Sequence, residues 1–351
     1  MKKIIIILFI SLNFSGFSQL DMVGELMRGG VEDGQKLMKA YLMPYEKALG
    51  YTAVNQRFIY QDKQKSNDFR FSIELHINTI LIPNKDLSFD VNTLGLERME
   101  VVDANQHISP TVFGDAEKTI ALKSKDQINL PFQPLQSVAS FNTPTGIGFG
   151  ALPIPELQFA FSYKNSQAIA SGYFVSIKDV LIIGYNISLN SQISSYFNFS
   201  KDLPVQFEVE VGYGGSNQTV ELDVKPDARV EFLAKGPYTN QEFKLVLNGY
   251  SLGFGANYRI NKLVIFSKLH FQDFWSRTQV IGNYPVNIKD PTGTFGLNIK
   301  DISNPIDYSR SLYGIKFGLG CQYDFTELIY TKVMFSLASY NSIGIGFGVK
   351  L

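Results

Sequence analysis

The sequence predicts an all-β protein: a transmembrane antiparallel β-barrel with a short helical segment at its N-terminal end. Three observations predict it. Residues 343–351 place Ile343, Ile345, Phe347, Val349 and Leu351 on one parity and Gly344, Gly346, Gly348 and Lys350 on the other. A strand with one greasy and one nearly bare face would make a poor edge in a soluble sandwich, because its N–H and C=O groups stay open to any neighbour. Closing it into a ring within a bilayer pairs every group, turning the apolar parity to lipid and the small parity to a lumen. Second, Lys2 and Lys3, the apolar run 4–10 and the small residues Gly16 and Ser18 have the form of a secretory signal. Third, no later apolar run approaches the roughly 20 residues of a membrane helix, so a membrane crossing has to be made by strands.

Composition narrows the partners. Across 351 residues, 32 Lys+Arg balance 32 Asp+Glu, so nothing in the charge balance points to a nucleic acid or acidic polymer as partner. The 28 Phe, 18 Tyr and 29 Gly favour strands with close-approach positions over helices. Cys321 is the single cysteine, so export brings no intrachain disulfide framework.

Taken in order, residues 1–18 form the signal, cleaved near Ser18 and Gln19, and the absence of a nearby cysteine argues against a lipoprotein anchor. Residues 19–50 form the helical segment. Leu37, Met38, Tyr41 and Leu42 recur at helical spacing, Pro44 interrupts, and Tyr45, Ala48 and Leu49 continue before Gly50. One or two short amphipathic helices are expected, as a plug in the lumen or a periplasmic cap. Residues 51–351 are the barrel. At roughly 20 to 25 residues per strand and connection, they allow about 12 to 14 strands.

The first strand sets the alternation. Phe69, Phe71, Ile73, Leu75, Ile77, Thr79 and Leu81 face one way, with Arg70, Ser72, Glu74, His76 and Asn78 opposite, and Pro83 ends the run. The same pattern returns in Val205, Phe207, Val209, Val211 and Tyr213 set against Glu208 and Glu210. It returns again in Leu252, Phe254, Ala256 and Tyr258 against Gly253, Gly255, Asn257 and Arg259, and in Ile265, Leu269 and Phe271 against Lys268 and His270. Charges are costly on a lipid face and tolerable in a hydrated interior. Arg70, Glu74, His76, Glu208, Glu210, Arg259, Lys268 and His270 are therefore the candidate lumen lining, and Ile343, Ile345, Phe347, Val349 and Leu351 the lipid face of the closing strand. With the C-terminal end periplasmic, the short turns at 261–262 and 324–327 are periplasmic and the polar segment 280–311 is an outside loop.

Residues that could carry chemistry are few. The string Gly146, Gly148, Gly150 lies among prolines, but no Lys-Ser/Thr pair or helix pattern follows it, which excludes a phosphate loop. The histidines are His76, His107 and His270. His107, near Asp103 and Ser109, lacks a nucleophile-elbow glycine pattern, so no catalytic residue, metal or cofactor is assigned. Asp290, Asp301 and Asp307 are weak calcium candidates in the outside loop, where Asn287-Ile288-Lys289-Asp290 recurs as Asn298-Ile299-Lys300-Asp301; Asx turns are the simpler explanation.

Short motifs carry a resemblance. The signal ending Phe17-Ser18-Gln19, the run Lys39-Ala40-Tyr41-Leu42-Met43-Pro44, the strand end Ile80-Leu81-Ile82-Pro83 and the final hairpin resemble secreted outer-membrane barrels of uncharacterised function common in Bacteroidota. A helical segment ahead of a mid-sized barrel is also similar in architecture to the long-chain fatty-acid transporter barrels. The resemblance implies the outer membrane as location, with membrane lipid and the barrel assembly machinery as partners. It carries no ligand residues over, because architecture alone does not locate a site. The function expected is a passive channel or transporter for small molecules, a small hydrophobic ligand among them. The alternative is a structural or surface-interaction barrel with a closed lumen and partner-binding outside loops.

Overall fold

The computed structural model describes residues 21–55, 57–60, 69–128, 136–177, 180–196, 205–227, 231, 234–290 and 297–351. The signal segment 1–18 lies outside them. The barrel strands are β1 (Arg70–Leu81), β2 (Ala151–Tyr163), β3 (Ser166–Ile177), β4 (Val180–Gln192), β5 (Val205–Leu222), β6 (Gln241–Ile260), β7 (Leu263–Ile281), β8 (Ile306–Asp324), β9 (Ile329–Leu337) and β10 (Ser342–Lys350). They form one closed antiparallel meander, each strand beside its neighbour in sequence. β10 closes the ring on β1, in register from Ser72 opposite Lys350 to Ile80 opposite Ser342.

Ten strands replace the 12 to 14 expected, for two reasons. β5, β6, β7 and β8 contain 18, 20, 19 and 19 residues, about twice the 9 of β9 and of β10. In addition, the described residues between β1 and β2 add no wall strand. They fold into short ribbons, among them Ser88–Asp90 against Ile108–Pro110, and a sheet of Met99–Val101, Ala121–Ser124 and Ser140–Asn142. These ribbons cover one end of the barrel, the loop end. The other end carries tight connections at 164–165, 261–262 and 325–328 and is the turn end.

The long strands change character partway along. In the turn-end half of β6, Leu252, Phe254 and Tyr258 are exposed outward while Ser251, Gly253 and Asn257 are buried inward. In the loop-end half, Phe243, Leu245 and Leu247 point inward and are buried, and Glu242, Lys244 and Asn248 lie on the outer parity. β5 and β7 make the same exchange, with Val220, Leu222, Phe274 and Val280 inside above the change. Outward aromatics mark the boundary: Tyr185 and Tyr213 with ring centroids 6.3 Å apart, Tyr250 and Trp275 at 6.4 Å, and Tyr313. At the turn end a second aromatic level carries Phe69 stacked on Tyr163 at 4.5 Å and Tyr323 against Phe325 at 5.1 Å. Aromatic residues settle at membrane–water boundaries. Between the two levels lies a lipid-facing belt that includes Ile343, Ile345 and Phe347, the last 55% exposed, with Val349 partly buried and Leu351 exposed at its foot.

No helix among the described residues is long and apolar enough to cross a membrane. A 3-10 helix, Asp21–Gly29, lies at the loop end, and α1 (Val31–Ala53) descends from it into the barrel. Pro44 does not divide α1, contrary to the sequence expectation. Proline in a helix interior costs about 3 kcal/mol. Here both sides of the helix are packed: Leu37, Met38, Tyr41, Leu42, Tyr45, Ala48 and Leu49 share one core with Ile80, Ile154, Val220, Leu245 and Phe274 of the wall. Burial at about 1.5–3 kcal/mol per large apolar side chain outweighs the proline. Residues 55 and 57–60 then continue toward the turn end without helix or strand structure.

Candidate functional site

The candidate site is the lumen at the height of the lipid belt and the chain that occupies it. As α1 ends, its last carbonyls lose their intrahelical partners. The wall supplies donors in sequence. Asn186 Nδ2 donates to the Ala53 carbonyl at 2.8 Å and Gln272 Nε2 to the Val54 carbonyl at 2.5 Å. Lys268 Nζ donates to the Arg57 carbonyl at 2.8 Å and Lys332 Nζ to the Phe58 carbonyl at 2.7 Å. Lys316 Nζ reaches Asn55 Oδ1 at 2.6 Å, and the Tyr60 N–H donates to Gln322 Oε1 at 3.1 Å. Cations beside a helix C-terminus also meet the negative end of its dipole.

Each cation has a carboxylate partner or a carbonyl to hold. Lys268 lies 2.6 Å from Glu210 and 2.8 Å from Glu208, and His270 3.4 Å from Glu210. Lys332 lies 2.6 Å from Glu74, which His76 approaches at 3.2 Å. Arg57, on the inserted chain, pairs with Glu156 at 3.1 Å and donates to Ser171 Oγ at 2.7 Å. All these side chains are buried. A buried charge is tolerable only when paired and hydrogen-bonded, so the wall and the inserted chain each complete the other.

The lining candidates thus divide. Glu74, His76, Glu208, Glu210, Lys268 and His270 point inward but are packed against the inserted chain or each other, not spread over an open wet surface. Arg70 and Arg259 are half-buried at the turn-end mouth, where Arg259 pairs with Asp324 at 3.6 Å and lies over the Tyr60 ring. The glycines of β10 make room for this packing. A Cβ at Gly346 would come 2.5 Å from Glu74 Oε1, and one at Gly344 2.8 Å from His76 Nε2.

Sequence reasoning missed Glu156, Lys316 and Lys332. Lys316 stands between Ile315 and Phe317, as Glu208 stands between Phe207 and Val209, so its signal was present; Glu156 and Lys332 have a lipid-type neighbour on one side only, Leu157 and Val333, as Lys268 has Leu269. Arg57, Glu46 and Asp33 carried no periodic signal. Glu46, on α1, accepts from Thr278 Oγ1 at 3.0 Å and the Tyr308 hydroxyl at 2.9 Å, and pairs with Arg310 at 3.2 Å. Asp33 accepts from the backbone N–H groups of Glu97, Arg98 and Met99, each at 2.8 Å, which ties α1 to the loop-end ribbons.

The calcium candidates do not converge. Asp290 accepts from Asn298, Asp301 from the Tyr238 hydroxyl at 2.6 Å, and Asp307 pairs with Arg277. The repeated Asn-Ile-Lys-Asp pieces lie on opposite strands of a ribbon, Asn283–Lys289 against Leu297–Ser303, which sends their acidic ends apart. His107 hydrogen-bonds Asp90 at 2.9 Å, away from Asp103.

Residues 1–351 match a family of unknown function, DUF6588. The chain belongs to DUF6588. A search of the curated proteins returns no match to this DUF6588 chain. Among solved structures it is similar to Ail, the attachment invasion locus protein of Yersinia pestis, at 9% identity over 80% of this chain and 98% of that one, TM-score 0.27. It is similar to the outer membrane protease OmpT of Escherichia coli at 8% identity over 82% and 95%, TM-score 0.33. The transport unit of the autotransporter AIDA-I from Escherichia coli gives 10% identity over 89% and 98%, TM-score 0.28. No residue role transfers at such values.

Proposed function

We propose that this DUF6588 chain is a closed-lumen outer-membrane barrel that anchors a partner-binding domain at its loop end and does not conduct as a passive pore. The observation that carries the reading is the occupied lumen: α1 fills the loop-end half, and residues 55 and 57–60 are held in the belt half by Lys268, Lys316 and Lys332. Freeing the lumen would break several buried charge contacts together, and losing one partner of such a pair costs about 3–5 kcal/mol. The loop-end ribbons offer an open cavity of about 620 Å³ over Leu87, Ile108, Pro110 and Phe113, rimmed by Asp115 and Lys118. An apolar floor with a charged rim suits a protein partner. The test is conductance in planar bilayers: the intact protein should stay silent, and deletion of residues 31–60 should give steps. Steady conductance by the intact protein would refute the reading.

One feature of the wall favours a second reading, gated movement of a small apolar molecule. β3 pairs β2 only from Ser166 opposite Tyr163 to Gly172 opposite Leu157, so residues 151–156 of β2 have no β3 partner among the described residues. Pro153 and Pro155 stand in that stretch, and proline, lacking an N–H, suits an unpaired edge. A disulfide across this seam would leave the anchor reading untouched and would block such movement.

A further inference from the structure

The course of the inserted chain has a direction. Near its N-terminal end its contacts belong to the loop end. Arg28 donates to the Lys225 carbonyl at 3.3 Å, beyond the end of β5, and a Cβ at Gly29 would meet Met99 and Phe141 of the ribbons. Lys36 donates to the Gly95 carbonyl at 2.7 Å, and Asp33 holds the backbone of Glu97, Arg98 and Met99. Midway, Glu46 is fixed by Thr278 and Tyr308, on the loop-end halves of β7 and β8. Further along, Arg57 and Phe58 are held at belt height by Lys268 and Lys332, and Tyr60 by Gln322 near the turn end. Phe69 then stacks on Tyr163 at the turn-end aromatic level, where β1 begins. From Asp33 to Tyr60 the described residues run from the loop end to near the turn end inside the barrel.

The ends of the barrel are distinguished independently of this segment. Short turns mark the periplasmic side of such barrels and long connections the outside. Three of the turn-end connections, 164–165, 261–262 and 325–328, are tight, while the loop end, which also has the short connection 338–341, carries the three longest, 82–150, 223–240 and 282–305, with the ribbons between β1 and β2 and between β7 and β8. Outside the loop-end aromatic level the wall presents Glu242, Lys244 and Arg277, side chains suited to water.

We infer that this protein passes its own N-terminal segment through its lumen to the outer cell surface, so that Asp21 lies outside while the foot of β1 faces the periplasm. This adds a role beyond anchoring, namely presentation: the N-terminal end of the segment is itself held at the outer face beside the ribbons, on a strap pinned by Asp33 and Glu46. A plug entering from the periplasm would run the other way, with its N-terminal end beside the tight turns. The inference does not depend on whether the lumen conducts. A barrel that leaks could still display Asp21 outside, and a silent one could hold it inside.

The experiment is cysteine labelling on intact cells with a membrane-impermeant maleimide, in the full chain carrying Cys321→Ser. Glu32→Cys reports the start of α1, where Glu32 is exposed. Lys300→Cys reports the exposed loop-end ribbon and Lys262→Cys the exposed turn between β6 and β7. Heat-modifiable migration confirms that each variant folds. Glu32→Cys should label on intact cells to the same extent as Lys300→Cys, while Lys262→Cys should label only after the outer membrane is permeabilised. If Glu32→Cys follows Lys262→Cys, or if Lys262→Cys labels on intact cells in place of Lys300→Cys, the inference is wrong. An epitope inserted between Leu20 and Asp21 gives a second readout that leaves the strap contacts intact: antibody binding to intact cells supports outward passage, and binding only after permeabilisation overturns it.

Discussion

The belt half and the loop-end half of the long strands use the same backbone and opposite side-chain rules. In the belt, apolar residues such as Phe254 and Phe271 face outward, and Glu210, Lys268 and His270 are enclosed. Beyond the row of Tyr213, Tyr250 and Trp275, Leu245 and Phe243 are enclosed and Lys244 and Arg277 face out. The solvent outside each half decides which parity is apolar: lipid for the first, water for the second. One segment serves both interiors because it changes character at the same level. The apolar turns of α1 fill the apolar half, and the main-chain carbonyls of Ala53, Val54, Arg57 and Phe58 meet the polar one.

The contrast is sharpest for charge. Lys268→Met should be the most damaging single change, because it leaves Glu208 and Glu210 enclosed without their cation. A loss of about 3–5 kcal/mol is expected, read as a fall in the unfolding midpoint followed by heat-modifiable migration. The triple variant Lys268→Met, Glu208→Gln, Glu210→Gln should recover most of it. Arg277→Met removes a pair of similar geometry from the water-facing surface and should cost no more than about 1 kcal/mol. Equal losses for the Lys268 and Arg277 variants would erase the distinction between the halves.

Truncation of apolar side chains should separate the halves next. Leu247→Ala opens a void in the water-surrounded core and should cost about 2–5 kcal/mol. Phe254→Ala exposes its site to lipid or detergent, which can refill the space, and should cost less than Leu247→Ala. An inverted ranking in the same unfolding assay would mean that the belt has been assigned to the wrong half.

Gly346 tests how tightly the belt interior is packed. A Cβ there meets Glu74 Oε1 at 2.5 Å, and Lys332 pins that carboxylate at 2.6 Å. Gly346→Ser should therefore lose about 1–3 kcal/mol, not the mild effect that the bare parity of β10 suggests. In a Glu74→Gln background, where the hold of Lys332 is looser, the further loss caused by Gly346→Ser should be smaller, measured as non-additivity in a double-mutant cycle. Strict additivity would show that the crowding lies elsewhere.

The smallest expected effect lies in the loop-end ribbons. The hydrogen bond from His107, with help from the Asn92 N–H, holds the Asp90 carboxyl below the usual carboxylate range. A carboxyl depressed on folding contributes stability above its unfolded value, about 3.9, and that contribution is lost as pH falls through the folded value. The advantage of the wild type over Asp90→Asn in thermal midpoint should be present at about pH 5 and shrink on acidification below about 4. An advantage that grew on acidification would contradict the assignment.

Much of the belt was legible because lipid imposes a period-two rule over every crossing. The alternation around Glu74, Glu208 and Lys268 and the bare parity of β10 follow from that rule. The strand count was not legible, since β5 to β8 continue past the membrane into a region where the rule inverts, and an averaged length per strand conceals both the extension and the inversion. The calcium candidates failed for a related reason: spacing along a chain does not say that a ribbon will carry Asp290 and Asp301 apart. What the sequence by itself determined is which side chains avoid lipid, because that choice is made residue by residue against the surrounding solvent. Only the tertiary structure decided that the enclosed wall charges pair with one another and hold an inserted chain, that Pro44 lies inside one continuous helix, and that this helix enters from the loop end. Those depend on contacts such as Lys268 with Arg57 and Lys332 with Phe58, between residues far apart in sequence, and no local period records them.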